Sequence, residues 1–171
     1  MPISDLPETN TGLSIRPESP DQGTIACMLQ ESDAVYAALY PPEDNHLMAP
    51  DALSGPTVTF LVARCDGVIA GFGALALRGG AGNGGGGGEP AYGEVKRMYV
   101  SPAMRGMGLG RRLVEALQDV ARAQNLTTLR LETGNLQPEA LGLYRAMGFQ
   151  ERAPFGDYAP SDVSLYFEKK L

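Results

Sequence analysis

Three glycines at alternate positions, Gly106, Gly108 and Gly110, interrupt a stretch that reads as strand before them and helix after them. Upstream, Val95, Tyr99 and Val100 sit among β-favouring residues and Pro102, which has no backbone N–H, stops the run. Downstream, Leu109, Leu113, Val114, Leu117, Val120 and Ala121 recur at the three-to-four spacing of a single buried stripe. The first N–H groups of a helix have no partner inside it, and the helix dipole makes that end positive. With side chains removed at every second position, such a helix start suits a phosphate. Arg105, Arg111 and Arg112 add positive charge beside it. The stretch therefore reads as a diphosphate cradle; the plainer alternative is a loop that merely turns the chain.

Spacing removes two common phosphate loops. A P-loop requires Lys and then Ser or Thr after its last glycine, whereas Arg111 and Arg112 follow Gly110. The dinucleotide fingerprint would place glycine where Arg111 stands. What remains is Arg-x-x-Gly-x-Gly, spelled Arg105-Gly106-Met107-Gly108-Leu109-Gly110.

The 171 residues suit one domain with a sizeable core rather than two. A net charge of −6 argues against a broad nucleic-acid surface or adhesion to an anionic membrane, so any positive patch must be local. Cys27 and Cys65 make neither a disulfide framework nor a metal spacing, and His46 is the single histidine, so no metal is expected and a reducing cytoplasmic setting fits. The first residues lack the pattern of a signal peptide, and no apolar run approaches membrane-spanning length.

In chain order, residues 1–12 read as a loose leader and 13–171 as the domain. Leu13–Arg16 alternates as a first strand. A helical pattern runs from Asp21, a plausible cap, to Leu39, and Tyr40 to Leu47 breaks it. Thr57–Arg64 and Val68–Leu77 are β-rich runs around Asp66-Gly67, a strong hairpin signal. Residues 79–90 contain five consecutive glycines, Gly84 to Gly88, and read as a flexible hairpin tip. Thr128–Thr133 is a further strand. Pro138 opens a helix through Ala140, Leu141, Leu143, Tyr144 and Met147 that Gly148 closes. Phe149–Phe155 and Val163–Glu168 complete a mixed α/β order with a central sheet.

The hexapeptide after a strand resembles the acyl-CoA pyrophosphate loop of the GNAT superfamily of N-acetyltransferases. Pro138 to Phe149 is similar to that superfamily's second signature, Ala-x-x-Leu-Tyr-x-x-x-Gly-Phe, and follows the first at compatible spacing. Leu39–Glu43, Glu94–Val100 and Leu131–Gly134 look like a bacterial subgroup whose substrates are mostly unassigned. The resemblance implies a splayed mixed β-sheet flanked by helices, and acetyl-CoA as co-substrate without a metal. Its diphosphate would lie on Arg105 to Arg111, and its pantetheine arm against main-chain groups of Met98, Tyr99 and Val100, one amide polarising the thioester carbonyl. Tyr144 matches the family's tyrosine that donates to the leaving thiolate; its bland alternative is a core aromatic. The general base is either Glu94 or Glu132, since a bulge in the family's fourth strand defeats strand parity. Gln137 stands where the family often has Asn. Tyr40 to Leu47 falls where the family roofs its acceptor cleft, so that Tyr40, Glu43, Asn45 and His46 would face a polar amine, with Asp157 and Tyr158 opposite; an ordinary surface loop is the alternative. The expected reaction is acetyl transfer to a primary amine of a small molecule in a ternary complex, by a monomer or homodimer. Acetylation of protein amines and non-catalytic acyl-CoA binding are the other readings.

Overall fold

The computed structural model describes residues 12–80 and 88–171. The expected leader, apart from Gly12, and the centre of the expected glycine-rich tip lie outside the described residues. Seven strands form one sheet: β1 (Leu13–Pro17), β2 (Val58–Cys65), β3 (Val68–Arg78), β4 (Tyr92–Val100), β5 (Thr128–Gly134), β6 (Gln150–Arg152) and β7 (Ser164–Lys170). Their spatial order is β1-β2-β3-β4-β5-β7-β6, and β4–β5 is the parallel pair among antiparallel neighbours. Four α-helices accompany them: α1 (Gly23–Leu39), α2 (Pro50–Leu53), α3 (Leu109–Ala123) and α4 (Pro138–Ala146).

Alternation along the strands sorts the side chains into two layers. Leu61, Leu75, Val95, Leu129, Leu131 and Phe167 pack with Leu117 and Val114 of α3 and Leu141 and Tyr144 of α4. On the opposite face Phe60, Val62, Phe72, Ala74 and Tyr99 pack with Ile25 and Leu29 of α1 and Leu53 of α2. The hairpin between β2 and β3 turns on Asp66 and Gly67, at φ 49 and 82, as its Asp-Gly sequence predicts. α1 begins differently from expectation. Its cap position is Gln22, without a side-chain cap, while Asp21 accepts hydrogen bonds from the hydroxyls of Ser19 in the preceding turn and Ser54 at the end of α2.

Two departures from regular sheet create the interior of the molecule. β4 and β5 pair over Gly93–Leu129, Glu94–Arg130 and Val95–Leu131, and then part. Immediately beyond, Phe72 and Ala74 of β3 face Tyr99 and Lys96, so β4 carries one extra residue. Arg97 sits in that bulge at φ 56, a conformation costing a non-glycine residue about 1–2 kcal/mol. The bulge explains how Val95 and Tyr99, four apart, join opposite layers.

Candidate active site

Where β4 and β5 part, a cleft of about 860 Å³ opens between the two helical layers. Val95 to Val100 of β4 line one side, and the turn into α3 lines the cleft as well. Gly106 and Gly108 have φ 79 and 74, and Gly108 is the cap residue of α3. Arg105 N reaches Pro102 O at 3.4 Å and Arg112 N reaches Gly108 O at 3.2 Å; the six amides from Gly106 to Arg111 between them meet no backbone acceptor among the described residues. Six neighbouring unpaired donors at a helix start are the arrangement an anion favours. Arg105, Arg111 and Arg112 are exposed around it, and Arg105 Nε donates to Val100 O at 3.2 Å. Met107, 61% exposed, points away and does not line the cleft.

α4 forms the other wall. Tyr144 is buried against Phe149 and Phe167 and also lines the cleft. Burial pushes its phenol well above the ordinary tyrosine value, so it stays protonated and a donor at neutral pH. Gln137, at the start of α4, reaches the Tyr40 hydroxyl at 3.4 Å, and Leu136 N donates to the same oxygen at 3.1 Å. Tyr40 therefore ties the end of α1 to the loop after β5, and Gly134 leaves the space its ring occupies. Tyr36, one turn earlier, donates to Met98 O at 3.3 Å, and burial pushes its phenol up to about 12.

A family model for the acetyltransferase (GNAT) family matches residues 25–149, most of the chain. The chain belongs to that family. An IAA acetyltransferase of Azospirillum brasilense is 44% identical over 93% of this chain and 98% of its own length. The uncharacterized N-acetyltransferase YsnE of Bacillus subtilis is 31% identical over 86% of this chain and 92% of its own. A structure from Klebsiella pneumoniae described as an acyl-CoA N-acyltransferase superposes with a TM-score of 0.74 at 33% identity, covering 95% of this chain and 99% of that one. A Salmonella typhimurium acetyltransferase structure containing acetyl-CoA shares the fold, with a TM-score of 0.65 at 22% identity over 92% and 93% of the two chains.

Two loops meet beside one end of the GNAT cleft. His46 and Tyr158 meet edge to face with ring centres 5.3 Å apart, and Ser161 Oγ donates to Asp44 Oδ1 at 3.4 Å. Lys96 fastens both, donating to His46 O at 3.0 Å and to the Tyr158 hydroxyl at 2.6 Å. Asp44, Asn45, His46 and Leu47 line the cleft; Glu43 is exposed and lies outside the lining, as does the exposed Asp157.

The two candidate bases occupy different worlds. Glu94 is buried beneath the wall: Arg78 Nε donates to its Oε2 at 2.9 Å, while Tyr158 and Lys96 hold Oε1 at 2.5 and 3.4 Å. It does not line the cleft, and both its oxygens are engaged. Glu132 lines the cleft beside Ser164, whose hydroxyl donates to it at 2.8 Å. Desolvation raises its pKa above the ordinary carboxylate value, against the opposing pull of Ser164, His46 and Lys96. Sequence reasoning missed Tyr36, Asp44, Lys96 and Ser164. Tyr36 was legible only as a position on an apolar helix face, and nothing local marks a partner sixty residues away.

Proposed function

We propose that this acetyltransferase moves the acetyl group of acetyl-CoA onto the primary amine of a small molecule, with Glu132 as general base and Tyr144 as donor to the departing sulfur. The observation that carries the choice of acceptor is the roof over the far end of the cleft. There the segments around His46 and Tyr158 meet and Lys96 stitches them to β4. A peptide acceptor needs a groove open at both sides, whereas this end admits a compact group.

The donor-rich turn at Gly106–Arg111 fits a diphosphate, and the main chain of Met98–Val100 fits an extended amide arm. Acetyl-CoA supplies an acetyl group activated as a thioester. Glu132 takes the proton that an alkylammonium must lose before it attacks; its raised proton affinity suits that transfer better than an ordinary carboxylate's would. A C–N bond forms, the C–S bond breaks with its electron pair leaving on sulfur, and the nitrogen's second proton, made acidic by the new bond, finally passes to that sulfur. Until then Tyr144 donates a hydrogen bond to the thiolate. With its phenol pushed above the usual value of roughly 10 and a thiol near 8.5, complete proton transfer is uphill, so the hydroxyl stabilises charge rather than surrendering its proton. An amide of β4 beyond the bulge polarises the thioester carbonyl.

Thiol release from acetyl-CoA, measured against a panel of amino acids, polyamines, arylalkylamines, aminoglycosides and lysine peptides, tests this reading. Turnover with one class of small amine and none with peptides is expected. Turnover with peptides alone overturns the acceptor class, and tight CoA binding without any turnover overturns the enzyme mechanism.

A further inference from the structure

Arg97 combines two unfavourable features in one residue. It is a side chain at positive φ in the β4 bulge, a place usually filled by glycine or asparagine, and its guanidinium is 1% exposed. Three hydrogen bonds lead from it to α1. Nη1 donates to Asp33 Oδ1 at 2.5 Å, and Nη2 to Leu29 O and Ser32 Oγ, each at 3.3 Å. Nε is buried with no partner among the described residues, so the site is not a fully satisfied ion-pair pocket. A structure that only needed a bulge here would use glycine.

The position explains the expense. Val95 is the last residue of β4 paired with β5, and Arg97 is the second residue of the gap. Because of the extra residue, Lys96 and Arg97 both reach toward α1 and its following loop, where an unbulged strand would send them to opposite faces. The next residue is held on both sides. Tyr36 of α1 donates to Met98 O, and the Met98 side chain lies over Gly73, where an added Cβ would come within 2.6 Å of its sulfur. α1 thus grips the bulge at two points, from Arg97 outward and from Tyr36 inward, within the stretch of β4 that lines the cleft.

The geometry points to Arg97 as a positioning residue: its anchorage on α1 sets the direction in which the β4 amides beyond the bulge present themselves to the thioester carbonyl. This rests on the reading that a β4 amide polarises that carbonyl. Asp33, Ser32 and the Leu29 carbonyl form the socket, and the guanidinium is buried in it, so Arg97 acts through the backbone it anchors.

The test is isotope-edited infrared spectroscopy of acetyl-CoA labelled with carbon-13 at the acetyl carbonyl, bound without acceptor. In the native protein the carbonyl band moves to lower frequency than in solution, as hydrogen bonding to an aligned amide requires. Arg97→Gly removes the guanidinium and relieves the positive φ, so CoA affinity by calorimetry stays within twofold while the band returns toward its solution position. An Arg97→Gly band equal to the native one overturns the proposal. A native band that does not shift overturns the amide reading itself, a different result. Should Arg97→Gly fail to fold, Asp33→Asn serves: it removes one charge from a half-exposed position, and an unmoved band there counts against the socket.

Discussion

At the scale of single residues, Gly108 and the two glutamates show how differently a motif and a carboxylate disclose themselves. Gly108 has open space where a Cβ would go, so its requirement is conformational: φ 74 is strained for any side chain. Gly108→Val is expected to weaken CoA binding by about tenfold, which titration calorimetry reads directly, since the left-handed conformation costs about 1–2 kcal/mol. Tyr144→Phe keeps the ring packing and loses the donor, so kcat should fall about tenfold to a hundredfold with CoA affinity unchanged in the same titration. Glu132 must be ionised to accept a proton, and burial raises its pKa, so the rate should rise with pH through a value above the ordinary carboxylate range. Glu132→Gln is expected to remove that limb from the pH–rate profile and to lower kcat about a hundredfold, while Glu94→Gln leaves the limb in place. Stability follows with the opposite sense. An acid whose folded pKa is raised favours the fold at low pH and loses that contribution as pH rises through the raised value, so Glu132→Gln should melt higher than the native protein at pH 7, the gap closing toward pH 4.

At the scale of elements, ion pairs stitch the sheet beside the short stretch where β4 and β5 remain paired. Beyond β5, Glu168 of β7 receives Arg130 of β5 at 2.8 Å and Arg152 of β6 at 2.5 Å, while Arg130 also binds Glu89 at 2.6 Å and stacks 4.2 Å from the Tyr92 ring centre. Burial works to raise the Glu168 pKa, and the hydrogen bonds from Arg130, Lys170 and Arg152 overcome it, leaving the carboxyl at about 2. Its contribution is therefore present above the ordinary carboxylate value and lost as pH falls toward 2. Glu168→Gln is expected to cost about 2 kcal/mol at pH 7, discounted for its partial exposure, and to lower Tm by about 4–8 °C in a thermal melt. The element pattern was readable from alternation and helical spacing because those signals are local. The one-residue surplus in β4 was implied by the family resemblance but not readable from spacing, since a bulge changes no composition; the register against β3 locates it at Arg97.

At the scale of the whole molecule, the cleft joins both helical layers and both halves of the sheet, and a ligand lying along it braces all of them. CoA at about a hundred times its Kd should stabilise the fold by about 2.7 kcal/mol, raising Tm by about 5–10 °C. In Gly108→Val the same concentration should give a smaller shift. The roof over the acceptor end is a property of this scale alone. It brings together the loop after α1, the loop before β7 and Lys96 of β4, three segments with more than a hundred residues between the first and last.

What the chain declared by itself was the family, the order of elements and the glycine-rich turn into α3. Each of those depends on residue types at short fixed spacing, and backbone conformation and helix-end polarity act over a few residues. Tertiary structure decided which glutamate meets the cleft. Glu94 and Glu132 sit on adjacent strands and carry the same chemistry, but Arg78, Tyr158 and Lys96 engage the first while desolvation leaves the second beside open space. Solvation and charge pairing depend on neighbours distant in sequence, and no local pattern encodes them.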